Sequence, residues 1–278
     1  MSLMMQMQAY AHALRNQERA EATVQKYAHD VRAFMAWCGV RHADALTKEA
    51  VIRWRREQEE SKAPATVNAA IAAVNGFLRF IGRDDCCVRP LKVQRTPYRE
   101  RRLELTREEY HRLLRAAESV SEQTACMLET ICATGIRVSE LRYVTVQAVT
   151  QGKVTVRNKG KCRIILLPGK LQMLLRRYCQ AKKVKTGPVF TGRNGRPISR
   201  YAVWRRMKQL CQRMRIAPEK VFPHNLRHLF AVCFYRMQHD LEHLADILGH
   251  SSINTTRIYT RISGEEHLRQ MDALRLTR

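Results

Sequence analysis

The sequence LGHSSINTTRIYT, residues 248–260, contains a Gly-His pair followed, nine positions after the histidine, by Tyr259. Upstream lies HNLRH, residues 224–228, with a histidine three positions before an arginine. Two earlier segments, ATGIRVSEL at 133–141 and RNKGKCR at 157–163, add another arginine and a cluster of cations. Any one of these is ordinary, because a single arginine usually lies on the surface and a single tyrosine usually packs. The four together, in this order and spacing, are specific enough to decide the fold.

The residues around these segments predict a mostly helical domain with a small antiparallel sheet. Thr106 and Glu109 form a capping box that opens a helix to about residue 119, and Gly135 ends the next helix. Alternating or β-branched residues predict three short strands, at 144–149, 153–156 and 162–167. Further helices are expected at about 169–182, 199–214, 224–237, 241–248 and 264–275.

The first part of the chain predicts a bundle of four short helices. Apolar residues recur at helical spacing, and the boundaries carry stop and start residues: Gly39 closes one helix, Thr47 caps another and Pro64 opens a third. Helices are expected at about 5–16, 22–37, 47–54 and 64–82. The resulting organisation is a helical domain at 1–93, a basic linker at 94–102 and a second domain at 103–278 with a C-terminal helix at 264–275.

The charge of the chain points to a polyanionic partner. It has 50 Lys and Arg against 25 Asp and Glu, a formal net charge of +25 on 278 residues. Residues 141–218 contain 20 of the cations and no acidic residue. Self-repulsion on such a surface is relieved by binding a polyanion. Neither an amphipathic anchor nor a lipidation motif favours a membrane, so nucleic acid is the better interpretation.

Membrane, secretion and metal sites receive little support. The longest apolar run, 229–235, is too short to span a membrane, and the N-terminus lacks the pattern of a signal peptide. Nine cysteines without a C-x-x-C pair are typical of a reducing cytosol, and zinc is not expected. The segment HDLEH, 239–243, matches a zinc peptidase pattern, which we interpret as a chance match in a chain with ten histidines.

In these four segments the chain resembles the tyrosine recombinase (phage integrase) family. The resemblance covers about residues 7–278 and is strongest over 133–260. It implies a mainly α fold with a small antiparallel β-sheet (α+β), in which a four-helix SAM-like DNA-clamping domain precedes the catalytic domain. It also implies a site-specific recombinase or integrase that cuts and rejoins DNA strands through a 3′-phosphotyrosyl intermediate, with no metal, ATP or other cofactor.

The resemblance assigns roles to individual residues. Tyr259 would be the nucleophile, since cleavage without water needs a protein nucleophile and a phenol can serve. Arg137 and Arg227 would clamp the non-bridging oxygens of the scissile phosphate. His224 would accept the proton of the nucleophile, and His250 would contact a non-bridging oxygen.

The general acid and the orienting acid are the remaining assignments. Lys159 would protonate the departing 5′ oxygen, and Glu140 would orient site residues from the turn that follows Arg137. The family usually has Gly-Lys-Gly at this hairpin, whereas this chain has Asn-Lys-Gly-Lys at 158–161. Lys159 fits the family spacing best, and Lys161 is the alternative. His228, which follows the motif arginine, is expected to be structural.

The resemblance implies double-stranded DNA at a specific core site as the partner. The protein would be a monomer or dimer when free and a homotetramer on DNA, without membrane contact, in the cytoplasm of a bacterium or the host of a phage or mobile element. Two alternatives remain open: a type IB topoisomerase-like enzyme and a non-catalytic DNA-binding regulator. Binding alone does not need Tyr259, and the helical first domain and short chain favour a recombinase.

Overall fold

The structure is a computed structural model that describes residues 2–40, 42–93, 103–158, 161–214, 216–250, 252–259 and 264–274. The chain divides into two compact units, Met1–Arg95 and Thr96–Arg278, each with its own apolar core. The predicted linker, residues 94–102, lies outside the described residues. Within the described residues, the helices are all too short or too polar to cross a membrane.

Four helices build the first unit, and its core is made where they meet. The helices are α1 (Leu3–Asn16), α2 (Glu21–Cys38), α3 (Lys48–Ser61) and α4 (Pro64–Phe80). Phe34 of α2 packs edge-on against Trp54 of α3, with ring centroids 5.1 Å apart. The Asn75 side chain exchanges two hydrogen bonds with the backbone of Val88, at 2.8 and 3.1 Å, which holds the chain after the bundle against α4.

Helix α3 is longer than the sequence predicts. Its last turns, RREQEES, have no apolar period, so the prediction stopped at residue 54, whereas the helix continues to Ser61. Charge pairing supports the extra turns, since Arg55 lies 3.0 Å from Glu59 four positions later. The Thr47 hydroxyl caps the other end by accepting from the backbone N–H of Ala50 at 3.2 Å.

The second unit is mainly helical with one small antiparallel sheet, as predicted. Its elements are α5 (Arg107–Val120), α6 (Glu122–Thr134), α7 (Val146–Gln151), β1 (Lys153–Asn158), β2 (Lys161–Leu166), α8 (Gly169–Ala181), α9 (Arg200–Met214), α10 (Pro223–Gln238), α11 (Leu241–Leu248), α12 (Ile253–Thr256) and α13 (Gly264–Ala273). The two strands pair with Lys153 opposite Leu166 and Asn158 opposite Lys161. The capping box of α5 is present. The backbone N–H of Glu109 donates to the Thr106 hydroxyl at 3.1 Å, and the backbone N–H of Thr106 donates to the Glu109 carboxylate at 2.9 Å.

The predicted strand at 144–149 is wrong, because this segment enters helix α7. The Thr145 hydroxyl accepts from the backbone N–H of Ala148 at 3.1 Å, which caps the start of the helix. Gly152, at φ +72°, closes its end in the left-handed region. The two caps and the burial of Val149 outweigh the strand preference of β-branched residues.

Candidate active site

Arg137 and Glu140 lie where helix α6 gives way to a 3-10 turn, Val138–Tyr143. The Glu140 carboxylate accepts from the backbone N–H of Arg137 at 2.9 Å and from its Nη1 at 3.1 Å. Burial raises the pKa of Glu140, but the Arg137 N–H and the guanidinium groups of Arg163 and Arg137 outweigh it, so the pKa lies below its usual value. A buried, ionised carboxylate therefore fixes the partly exposed Arg137.

Arg163 on β2 joins Glu140 to the turn that follows α11. Its Nη2 donates to Glu140 Oε2 at 2.5 Å, and its Nη1 donates to the carbonyl of Ile247 at 2.8 Å. The next turn residue, Gly249, has φ +62°, and a Cβ there would lie 2.5 Å from Arg163 Cδ. Its carbonyl accepts from Arg137 Nη2 at 3.1 Å. Two arginines thus hold this turn from two sides.

Arg227 reaches the same turn from α10. It donates Nη1 to the carbonyl of Gly135 and Nη2 to the carbonyl of Leu248 at 2.7 Å. Burial, and then the charge of Arg137, lower its pKa to about 10, which leaves it charged near neutral pH. These carbonyls are neutral, so the guanidinium keeps a positive charge that can attract an anion.

His250 is neutral and its tautomer is set by its neighbours. Burial, followed by the charges of Arg227 and Arg137, lowers its pKa to about 4. Its Nε2 lies 3.1 Å from Arg227 Nη2, and its Nδ1 lies 2.8 Å from Thr256 Oγ1. Because a guanidinium can only donate, Nε2 is the acceptor, and Nδ1–H donates to the buried threonine.

Tyr259 ends a 3-10 turn, Arg257–Tyr259, and its side chain is buried, with 2 % exposed. Its ring lies nearly parallel to that of His250, with centroids 6.1 Å apart and an interplanar angle of 13°. The ring of His228 is 5.1 Å away on a tilted contact. The Tyr259 hydroxyl is buried, and the Arg227 guanidinium lies near enough to interact with it, although in a poor geometry for a hydrogen bond. The rest of its surroundings are apolar residues of α10 and α11: Ala231, Leu244 and Leu248.

The structure describes the other predicted residues to different extents. His224 is exposed in the first turn of α10, near enough to His250 to contribute to its lowered pKa. Lys159 lies outside the described residues, so the choice between Lys159 and Lys161 is not tested. Of the seven predicted residues, six come together in the second unit: Arg137, Glu140, His224, Arg227, His250 and Tyr259.

Sequence reasoning missed Arg163 and Thr256, although one of them has a signal. Arg163 shares the inward face of β2 with Ile165 and Leu167, which are buried, so it is a charged residue at a core position of a strand. Such a position requires a partner, and Glu140 supplies it. Thr256 has no comparable signal, since its role depends on a turn that only the folded chain brings to His250.

The zinc-like segment at 239–243 has ordinary structural roles. His239 ends α10 at φ +53°, and the ring of His243 meets that of Phe234 edge-on at 5.4 Å. Over the ranges that the structure describes, His, Cys, Asp and Glu form no group of three or more that could hold a metal ion.

The acid-free stretch gives the second unit an exposed basic surface. Most of its described Lys and Arg side chains are exposed. Helix α9 adds aromatic residues to it, since the rings of Tyr201 and Trp204 stack with centroids 5.9 Å apart and Lys208 lies 5.7 Å from the Trp204 ring. Tyr201 and Trp204 are themselves exposed, so this face of α9 is both cationic and aromatic.

Comparison with known proteins agrees with this architecture. Residues 104–266 match the model of the phage integrase family, and residues 7–84 match the phage integrase N-terminal SAM-like domain. Tyrosine recombinase XerD of Halalkalibacterium halodurans is 31% identical over 261 residues, covering 87% of each chain. Tyrosine recombinase XerA of Thermococcus kodakarensis is 31% identical over 256 residues, covering 89% of this chain and 87% of that protein.

Solved structures of recombinases share the fold. The XerH recombinase bound to palindromic difH substrate in a post-cleavage complex has a TM-score of 0.74 at 18% identity, over 94% of this chain and 81% of that one. A lambda integrase tetramer bound to a Holliday junction has a TM-score of 0.74 at 18% identity, over 93% of this chain and 77% of that one. The resemblance noted in the sequence is confirmed, as is the expectation of a DNA strand-breaking and rejoining enzyme. The family match and the relatives that span most of both chains establish that this chain belongs to the phage integrase family of tyrosine recombinases.

Proposed function

We propose that the chain is a site-specific recombinase in which Tyr259 cuts DNA by transesterification. The observation that carries this proposal is the position of the Tyr259 ring against His250, beside Arg227 and within a cluster that includes Arg137. Burial, and then the charges of three arginines, depress the pKa of His250, and the summed positive charge of these arginines disfavours any further cation and favours a phosphate.

The cleavage step follows from these charges. The Tyr259 oxygen attacks phosphorus, a phosphotyrosyl bond forms to the 3′ side, and the bond to the 5′ oxygen breaks. Arg137 and Arg227 neutralise the charge that develops on the non-bridging oxygens. His224, exposed at the start of α10, accepts the tyrosine proton, and Lys159 returns a proton to the 5′ oxygen. The bond energy is retained in the phosphotyrosine, so the proposal includes no ATP or metal.

His250 has to change its protonation for the proposed contact with the phosphate. In the DNA-free site its Nε2 accepts from Arg227 and carries no proton for a phosphate oxygen. Burial is the main cause of its low pKa and the arginine charges add to it; a bound phosphate offsets the arginine charges, which favours protonation at Nε2. Glu140, with Arg163, keeps the turn that carries His250 in place during this change.

We also propose that the DNA is double-stranded, is bound at a specific core site and is held by four copies of the chain. The exposed cationic and aromatic face of α9 supports a contact with the duplex, and residues 1–93 would clamp it from the preceding domain. Helix α13 supports assembly, because Leu268, Met271 and Leu274 are all exposed. The free protein would be a monomer or dimer, and the substrate places the reaction in the cytoplasm of a bacterial or phage-infected cell.

The test is covalent trapping on nicked DNA. We would incubate the full chain with duplexes in which a random stretch flanks a fixed nick, so that the cleaved fragment diffuses away and the phosphotyrosyl complex accumulates. Complexes that survive detergent would then be isolated and their DNA sequenced. We expect covalent complexes enriched in one sequence, absent with Tyr259→Phe and retained with Tyr235→Phe, which alters a tyrosine of α10 that contacts His239.

The other outcomes distinguish the alternatives. Covalent complexes without sequence enrichment would identify a type IB topoisomerase-like enzyme. Retention of the DNA without any covalent complex would identify a non-catalytic regulator. Complexes that persist with Tyr259→Phe would refute Tyr259 as the nucleophile.

A further inference from the structure

Two cysteines from different helices line one cavity at the back of the active site. Cys132 of α6 and Cys233 of α10 both border a cavity of about 360 Å³. The cavity is otherwise lined by Tyr110, Phe230 and Phe234 and their neighbours, so it is largely apolar. Neither cysteine has a part in the proposed cleavage step.

Helices α6 and α10 pack against each other, and the two thiols lie near each other along this contact. At the C-terminal end of α6, Gly135 contacts Phe230, since a Cβ on Gly135 would lie 2.5 Å from that ring. Three residues back on α6 is Cys132, and three residues forward on α10 is Cys233. Arg227 and Phe230 of α10 both meet Gly135, and the contact then continues towards later residues of α10 and earlier residues of α6. Consistent with this, burial, and then the neighbouring Cys233, raise the pKa of the Cys132 thiol to about 12.

The surroundings of Cys233 make it the accessible member of the pair. Its side chain is half-buried and also borders a second, adjacent cavity of about 680 Å³, which shares Arg107 and Leu229 with the first. Arg107 Nε donates to its sulfur at 3.2 Å, so a guanidinium charge lies against it. A cation beside a cysteine sulfur favours nucleophilic attack by that sulfur. The neighbouring thiols of Cys126 and Cys179 differ, since both are buried.

We propose that Cys132 and Cys233 are a redox modification site that forms a reversible disulfide when the protein meets a peroxide. The Cys233 thiolate attacks the O–O bond of hydrogen peroxide and becomes a sulfenic acid. The Cys132 sulfur then attacks the Cys233 sulfur and displaces hydroxide, which takes the Cys132 proton. Two thiols and one hydrogen peroxide thus give one disulfide and two waters. Excess thiol reverses the reaction.

The disulfide would hold the active site in the state with a buried nucleophile. It would tie α6 to α10 about one turn before Gly135 on α6 and nearly two turns after Arg227 on α10, close to the point at which Arg227 donates to Gly135. Helix α10 also contributes Ala231 to the apolar cluster around Tyr259. Tyr259 has to leave this cluster to reach a phosphate, so a link that restrains α10 slows that movement. This consequence rests on the proposed function, whereas the thiol chemistry does not.

The first arm of the test counts and maps thiols in the full chain. After treatment with hydrogen peroxide, we expect two of the nine thiols to be lost and a single cross-linked pair of peptides containing Cys132 and Cys233. Cys233→Ser would prevent the loss of thiols. Cys132→Ser would leave a sulfenic acid at Cys233, which dimedone captures. The control Cys162→Ser alters an exposed cysteine on β2 and would leave the Cys132–Cys233 cross-link unchanged. A different pair, or nine thiols left in the wild-type chain, overturns the proposal whether or not the variants fold.

The second arm measures covalent trapping on the nicked duplexes by oxidised and reduced protein. We expect oxidation to slow phosphotyrosyl formation by about tenfold or more, with recovery in dithiothreitol and no effect on Cys233→Ser. Equal rates of phosphotyrosyl formation for oxidised and reduced protein would refute the restraint on Tyr259. The peptide mapping would still decide whether the disulfide forms. Absence of trapping in the reduced protein would count against the proposed function, and the thiol map would still decide the disulfide.

Discussion

Arg163 Nη2 lies 2.5 Å from Glu140 Oε2, and the two side chains are only 15% and 3% exposed. This ion pair joins strand β2 to the turn that carries Arg137, and through the carbonyl of Ile247 it also reaches the end of α11. A buried charge is tolerated only where it is paired and hydrogen-bonded. The geometry of the arginine cluster therefore depends on Arg163, which has no role in the proposed cleavage step.

Replacing Arg163 by alanine should destabilise the second unit strongly. The substitution leaves Glu140 buried with Arg137 alone, and removal of one partner from a buried pair costs about 3–5 kcal/mol in the free energy of unfolding. Denaturant titration of the two proteins measures this difference. Arg142→Ala is the matched control, since Arg142 is exposed and makes one hydrogen bond to the carbonyl of Ser139. A loss no larger than that of the control would contradict the structural role of Arg163.

Gly249→Ala should perturb the site more than its backbone conformation alone explains. A non-glycine residue at φ +62° costs about 1–2 kcal/mol, and the new Cβ would also lie 2.5 Å from Arg163 Cδ. Arg163 cannot move aside freely, because both ends of its guanidinium are hydrogen-bonded. Gly187→Ala is the control: it has φ +78° and nothing within 4 Å of its Cβ. We expect a larger loss of unfolding free energy and slower covalent trapping for Gly249→Ala only. Equal losses of unfolding free energy in the two variants would show that the Arg163 side chain moves aside to make room for the new Cβ.

The sequence predicts the helices of both units well, because their signals are local. Caps such as Thr47 and the Thr106–Glu109 box act within one turn, and the apolar period identifies the buried face. The exception is 144–149, where β-branched residues predict a strand. There the Thr145 cap and the glycine stop at Gly152 favour a helix. Both are local signals like the other caps, but the prediction gave them less weight than the strand propensity of the β-branched residues.

The active site is predictable only where residues fit a known pattern. Arg137, Arg227, His250 and Tyr259 are identified by order and spacing, and the structure brings them together. Arg163 is detectable as a charged residue at a core position of a strand, but its partner Glu140 is not, and the hydrogen bond of Thr256 to His250 depends on a turn that only the folded chain forms. The burial of Tyr259 is likewise a tertiary property, since a tyrosine before a polar segment gives no indication of a closed apolar cluster.

His250 should make stability depend on pH between about 4 and 6.5. Its folded pKa of about 4 lies below the unfolded value near 6.5, so the unfolded chain binds the extra proton in this window. Stability is therefore retained above the unfolded pKa and lost as the pH falls towards 4. The full shift corresponds to roughly 3 kcal/mol, which partial exposure reduces to about 1–2 kcal/mol. Denaturant titrations at several pH values should show a flatter profile for His250→Gln than for His111→Gln, which alters an exposed histidine. Identical profiles would contradict the depressed pKa.

Tyr259→Phe should abolish covalent trapping and at the same time leave the protein at least as stable. Its hydroxyl is buried beside the Arg227 guanidinium, in a geometry too poor to repay the loss of solvation, and burial of such a group costs about 1–3 kcal/mol. Removing it relieves that cost, so we expect the free energy of unfolding to rise by about 1 kcal/mol. Tyr143→Phe is the matched comparison, because the Tyr143 hydroxyl donates to the carbonyl of Arg157 at 2.8 Å and its loss should destabilise by about 0.5–1.5 kcal/mol. Denaturant titration compares the two variants directly. A loss at Tyr259 equal to that at Tyr143 would mean that the hydroxyl of this proposed nucleophile is held by a strong partner in the DNA-free protein. Its release would then require breaking that bond as well as opening the apolar cluster.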